Sequence, residues 1–316
     1  MQIVAITGPI LLAIITGYMA ARVGYIPKNI EQALIIFSFK IAIPALLIGA
    51  IAQQDLDDLL NIPFIIAFGG AAVIVYAVVL VFLYFVRNAG LGTSAMISLD
   101  SVASNTGIIG FPVLHAIFGQ KALVLASLAN IVAVIFVLLS ITILELAKDN
   151  EPSNWEGVIR QVKAAVLNPI VVATIIGVAL AAAPFEFPTI AVDYFSVFGS
   201  AVAPCALFAV GMSLNPNAVA TSSVGILSLS FLKLIIMPTI ALCISYMVSA
   251  DPLVTVCAVL CAALPTGKTQ FVLASKYHHA EDLTGQTIAF TTAIGVLTLA
   301  GWLVLLAHLF EGSLTF

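Results

Sequence analysis

Apolar residues along this chain neither alternate nor mark one helical face. They run nearly unbroken, ten times over, with short polar interruptions between the runs. A helix that crosses ~30 Å of hydrocarbon needs roughly 20 such residues. The runs therefore predict membrane-spanning helices near 3–21, 32–52, 63–86, 93–117, 121–145, 168–184, 188–213, 223–248, 252–276 and 283–309. Most links are short and carry turn residues, as at Pro27-Lys28-Asn29, Asn88-Ala89-Gly90, Asn215-Pro216-Asn217 and Asp251-Pro252. The one long polar link is 146–167.

Composition supports the same solvent. Hydrophobic residues are 62% of the 316 positions and charged residues 8%, against about 45–50% and about 25% in soluble domains. The net charge of −4 carries no basic tract, so nucleic acid is not an expected partner; the bilayer is. Cys205, Cys243, Cys257 and Cys261 all lie in apolar runs, which suits packing better than metal binding. No metal or other cofactor is expected. The first run lacks a basic leader and a small-residue cleavage site, so it is expected to stay as a helix.

Orientation follows from Lys and Arg, which are retained on the cytoplasmic side. Arg22, Lys28, Arg87, Lys148, Arg160, Lys163 and Lys276 fall in the links after runs one, three, five and nine, while only Lys121 falls on the other face. Both termini are thus expected outside and 146–167 in the cytoplasm.

Shifting the chain by 160 positions superposes its rare residues: Pro9 on Pro169, Gly17 on Gly177, Pro44 on Pro204, and Thr106-Gly107 on Thr266-Gly267. Each copy holds five runs, and an odd number inverts the second copy in the membrane. The fold class expected is all-α: ten transmembrane helices in two inverted five-helix repeats, 1–145 and 168–316, joined by the linker 146–167. The fourth run of each copy is the least helical. One reads Asp100-Ser-Val-Ala-Ser-Asn105-Thr-Gly-Ile-Ile-Gly110-Phe-Pro112 and the other Ala262-Ala-Leu-Pro265-Thr-Gly-Lys268-Thr-Gln270. Pro removes an amide donor and Gly relaxes the backbone, so breaks are expected at Gly110, Pro112 and Pro265. Unwound backbone at that depth must be buried in protein or line a cavity. Matched breaks in an inverted repeat therefore predict one shared site. The half-helix starting after each break turns a partial positive charge toward the centre, which favours an anion. Asn105, Thr106, Gly107, Thr266, Gly267, Thr269 and Gln270 supply polar groups there.

The ionisable residues within runs include Lys40, Asp100, Lys233 and Lys268. Each needs a partner or water at that depth. Lys268 beside the second break reads as a counter-charge for cargo or as the partner of Asp100. Asp100 reads as a site for a coupled proton or cation, or as half of an ion pair. Lys40 and Lys233 read as structural pairs, and Asn130 with Ser127 as polar glue or further cargo contacts.

Ser104-Asn-Thr-Gly-Ile-Ile-Gly-Phe-Pro112 and Ala263-Leu-Pro-Thr-Gly-Lys-Thr-Gln-Phe-Val-Leu-Ala-Ser-Lys-Tyr277 resemble the fourth- and ninth-helix motifs of the auxin efflux carrier family, over nearly the whole chain. The resemblance implies a scaffold packed against a transport domain whose helices four and nine cross at their breaks. It also implies elevator-like movement of an anionic, often carboxylate, substrate. Asn105 matches the Asn and Pro265 the Pro of that crossover. Lys268 and Thr266 depart from the plant pattern, so indole-acetate does not carry over. Related bacterial permeases are associated with malate or malonate, which a crossover Lys suits better. A secondary transporter of a small organic anion, coupled to H+ or Na+, is the expected function, with a homodimer through the scaffold helices. The alternative is a sodium-coupled symporter or cation/proton antiporter of the bile acid symporter-like kind, which needs more acidic residues at the crossover than Asp100. An enzyme is not expected: the runs hold no H-E-x-x-H, no paired carboxylates and no Ser-His dyad, and without a G-x-x-x-x-G-K-S/T loop no built-in ATP motor is expected.

Overall fold

The computed structural model describes residues 2–27, 29–54, 59–147, 155–183, 188–214 and 223–310. Lys28, Lys148 and the turn at Asn215, Pro216 and Asn217 lie outside the described residues. All regular elements among the described residues are helical. In chain order they are α1 (Gln2–Arg22), α2 (Asn29–Ile51), α3 (Ile62–Val86), α4 (Leu91–Val102), α5 (Thr106–Phe118), α6 (Gln120–Leu146), α7 (Trp155–Val166), α8 (Pro169–Ala181), α9 (Thr189–Ser213), α10 (Val224–Met247), α11 (Pro252–Ala263), α12 (Thr269–Tyr277) and α13 (Glu281–Leu309). Six of them, α2, α3, α6, α9, α10 and α13, are long and apolar enough to cross a bilayer. Two predicted spans are each divided in two, 93–117 into α4 and α5 and 252–276 into α11 and α12.

The long link is more ordered than its polarity suggests. Its second part is α7, on which Ile159, Val162 and Val166 are exposed at helical spacing and Arg160 and Lys163 are exposed beside them. An amphipathic helix with a basic polar face is suited to lie in the interface rather than span it.

Three prolines within the spans are absorbed rather than breaking them. Pro44, Pro112 and Pro238 each follow a single wide π turn that ends two residues earlier, at Ala42, Gly110 and Ile236. Proline lacks the amide that would bond the carbonyl four residues back and crowds that carbonyl with its ring; widening the turn moves the carbonyl aside. The carbonyl that Pro238 cannot serve belongs to Leu234, and the Trp302 indole nitrogen donates to it instead at 2.9 Å.

The helices pack in two groups. α1, α2, α8 and α9 lie against one another, and α3 to α6 with α10 to α13 form the second set. Small residues set the first group's spacing. A Cβ added to Gly17 of α1 would stand 2.1 Å from the Phe208 carbonyl oxygen of α9, and one on Gly211 of α9 would stand 1.9 Å from the Ile14 oxygen of α1. The two backbones touch, which only glycine permits. The offset partner of Gly17 makes a related contact: a Cβ on Gly177 of α8 would stand 2.8 Å from Ile51 Cβ of α2.

Candidate functional site

The two divided spans meet at their breaks. Asn105 N–H donates to the Pro265 carbonyl at 2.8 Å, Gly267 N–H donates to the Ala103 carbonyl at 3.2 Å, and Ser104 and Thr266 form an isolated antiparallel bridge. A fragment of sheet thus satisfies backbone groups that the helices have released, as burial demands. Asn105 also caps α5, its Oδ1 accepting from Ile108 N at 3.3 Å.

In the first strand of this crossing the break lies at Ala103–Asn105, not at Gly110 and Pro112. The wide turn Thr106–Gly110 carries the chain through both of those residues as helix, with Phe111 N bonded to Thr106 O. In the second strand Pro265 does stand in the break, between the end of α11 at Ala263 and the start of α12 at Thr269.

Lys233 binds the crossing together. Its side chain is fully buried, and Nζ donates to Ser104 Oγ at 2.7 Å, to the Ala262 carbonyl at 2.7 Å and to Met237 Sδ at 3.5 Å. Three acceptors match the three N–H donors of an ammonium. Ala262 is in the last turn of α11, the negative end of that half-helix. The partner of Lys233 is therefore no carboxylate but the two breaks themselves. The sequence signal was its position five residues before Pro238, yet nothing there named Ser104 or Ala262.

On one side of the crossing is a cavity of about 340 Å³, lined by Ser104, Asn105, Gly107, Asn130, Gly267, Lys268, Thr269 and Gln270, with Phe39 and Asn168 from the other helix group and Ala164 of α7. The first turns of α5 and α12 both line it. Asn130 Nδ2 is buried without a hydrogen-bond partner, a donor with nothing to donate to. Lys268 is half exposed, and Nζ lies 3.3 Å from Glu31 Oε1 at the start of α2. That pair joins the two helix groups; no pair forms between Lys268 and Asp100.

Other candidates lie elsewhere. Thr106 and Thr266 are buried inside the crossing and do not line this cavity. Thr266 Oγ1 donates to the Asp100 carbonyl at 3.1 Å, and its N–H donates to Thr291 Oγ1 at 3.2 Å. Pro265 lies on the opposite side, against Gly295 of α13. Ser127 is buried and bonds back to the Leu123 carbonyl. Lys40 is exposed within the wide turn of α2, and no ion pair to it forms among the described residues. Asp100 is wholly buried and accepts from Thr284 Oγ1 at 2.6 Å.

Six apolar helices of membrane-crossing length, packed with two divided helices whose breaks meet beside a cavity, suit a membrane transporter. The family described as "Membrane transport protein", which is that of the auxin efflux carriers, matches residues 3–303, and the chain belongs to it. It is thus a multi-pass membrane permease and not an enzyme. Over 96% of both chains it is 26% identical to a protein of Rhizobium meliloti (strain 1021) named "Putative malonate transporter". It is 27% identical to an uncharacterized transporter of Methanothermobacter thermautotrophicus, over 94% of this chain and 96% of that one. A third, an uncharacterized transporter of Methanocaldococcus jannaschii, is 22% identical over 94% of this chain and 97% of its own.

Proposed function

We propose that the chain carries a small organic dicarboxylate across the plasma membrane by elevator movement of the second helix group against the first. The observation that carries this reading is the cavity beside the crossing. There the Lys268 ammonium, the Asn105 and Gln270 amides and the unpartnered Asn130 amide converge with the first turns of two half-helices. That set offers one full and two partial positive charges and several donors to a bound anion. The name of the R. meliloti relative makes malonate the first compound to try.

In this reading the architecture is ten transmembrane helices in two inverted halves, 1–145 and 168–316, with 146–167 in the cytoplasm and both termini outside. Two contacts support it. Asn105 and Pro265, which bond to one another, stand 160 positions apart. Gly17 packs on the second helix of the other half, and its offset partner Gly177 packs on the second helix of the first. α1, α2, α8 and α9, knitted by glycines, are the scaffold.

Uptake of labelled malonate into proteoliposomes tests this function. Malonate-loaded vesicles are expected to exchange it, and Asn105→Ala and Lys268→Ala are expected to suppress exchange. Undiminished exchange in both variants would place the cargo elsewhere, and failure to exchange malonate, malate or monocarboxylates would sink the anion reading.

A further inference from the structure

Asp100 is a charged residue type in a place that offers its charge almost nothing. It is 0% exposed, one carboxylate oxygen receives a single bond from Thr284, and Oδ1 has no partner. Tyr76, Tyr277, Lys233 and Glu281, on elements packed against α4, are engaged with other atoms. Tyr76 of α3 meets Ser140, and Tyr277 of α12 donates to Glu145 of α6. Lys233 of α10 holds Ser104 and Ala262, and Glu281 of α13 meets Ser275 and His278. His279 sits over the start of α4, with Nδ1 3.3 Å from Thr93 Oγ1. Burial, and then the neighbouring His278, lower its proton affinity below the usual imidazole range, so it supplies no fixed cation. No ion pair to Asp100 forms among the described residues.

A buried carboxylate so placed must take up a positive charge or become neutral. A metal cation needs room and several oxygens, and neither the cavity beside the crossing nor the apolar one against Pro265 reaches Asp100. A proton needs no room. The way out is short: Thr284 lies one helical turn from Glu281, which is partly exposed at the start of α13. The acid is also tied to the cargo site, since its own backbone carbonyl accepts from Thr266 in the second break.

From this geometry we infer that the carrier is a proton symporter, with Asp100 the group that bears the proton and with no sodium ion required. The inference rests on the anion reading above and names its driving ion. Asp100 takes one proton from water on one face and gives it to water on the other; only an O–H bond is made and broken. Fixed charge accounts for the coupling. With Asp100 neutral, Lys233 and Lys268 against Glu31 leave one net positive charge about the crossing; with Asp100 charged, the sum is zero and an anion is held less well. Proton and dicarboxylate therefore favour each other's binding, and linkage makes the preference mutual. Sodium is superfluous at the carbonyl end of α11 because the Lys233 ammonium already occupies it.

The test uses the full chain in proteoliposomes with labelled malonate as probe and protein-free vesicles as the leak control. Wild type is expected to accumulate malonate when the outside is acidified, equally in sodium and in choline. Asp100→Asn is expected to exchange malonate in loaded vesicles but to lose accumulation driven by the pH gradient. Accumulation that persists in Asp100→Asn, or that requires sodium in the wild type, overturns the inference while leaving the anion reading standing. Absence of exchange in the wild type overturns that reading and this inference with it. Should Asp100→Asn fail to assemble, Thr284→Val decides. It removes a hydroxyl that favours the charged carboxylate, so the pH midpoint of accumulation should move upward, and an unmoved midpoint overturns the assignment.

Discussion

Three side chains divide the work at the crossing. Lys233 saturates its donors on buried acceptors, whereas Lys268 keeps a half-exposed ammonium against a carboxylate that is itself partly open to water. Truncating each should therefore read differently. Lys233→Met leaves the Ser104 hydroxyl and the Ala262 carbonyl without their donor, at about 1–3 kcal/mol each, and is expected to lower the thermal midpoint of the detergent-solubilised carrier. Lys268→Ala removes a charge-assisted contact worth about 1.5–3 kcal/mol and should raise the apparent Km for malonate about ten- to a hundredfold. Glu31 competes with an anion for Lys268. Such exposed pairs contribute about 0–1 kcal/mol, so Glu31→Gln should lower that Km by up to about fivefold. An unchanged Km would mean that Glu31 and the cargo do not share the lysine. At this scale the sequence placed Asn105, Lys268 and Gln270 beside the breaks, and the structure brings all three to one cavity. The contacts of Lys233 with Ser104 and of Thr266 with the Asp100 carbonyl were not legible, since each joins residues more than a hundred positions apart.

Among the helices, the division of the fourth and ninth spans was readable because Pro and Gly interrupt long apolar runs there. Where the first division falls was not. Gly110 and Pro112 look like breakers, but one wide turn accommodates them, and the chain opens instead at Ala103–Asn105, where pairing with Pro265 and Gly267 is available. Propensity proposed a place and tertiary hydrogen bonding chose another. The seam between α1 and α9 makes a sharper claim. Since the atoms facing Gly17 and Gly211 are backbone oxygens, no rotamer change can make room. Gly211→Ala should therefore abolish the monodisperse peak in size-exclusion chromatography. Gly301→Ala, with nothing within 4 Å of its added Cβ, should leave that peak intact.

For the molecule as a whole, the long apolar helices were legible because the bilayer imposes length, and the bias of Lys and Arg supplies an orientation to test. The sorting of helices into two groups was not, since nearly every run is apolar on all sides. Orientation can be checked with one cysteine placed at Glu156 in a chain stripped of its four native ones. A membrane-impermeant maleimide should label it in inside-out vesicles and not in intact cells. A homodimer through α1, α2, α8 and α9 should appear as cross-links between cysteines on the exposed outer face of that group and nowhere on the other.

α7 lies with Ala164 on the cavity and with Ile159, Val162 and Val166 exposed on its surface. If that apolar side rests among acyl chains, Arg160 and Lys163 stand at headgroup level, where anionic lipids attract them by about 1 kcal/mol per basic residue. The mouth of the cavity is then partly built from lipid. Turnover becomes a property of the membrane as much as of the protein, faster or slower with the fraction of acidic phospholipid even when substrate and gradient are held constant.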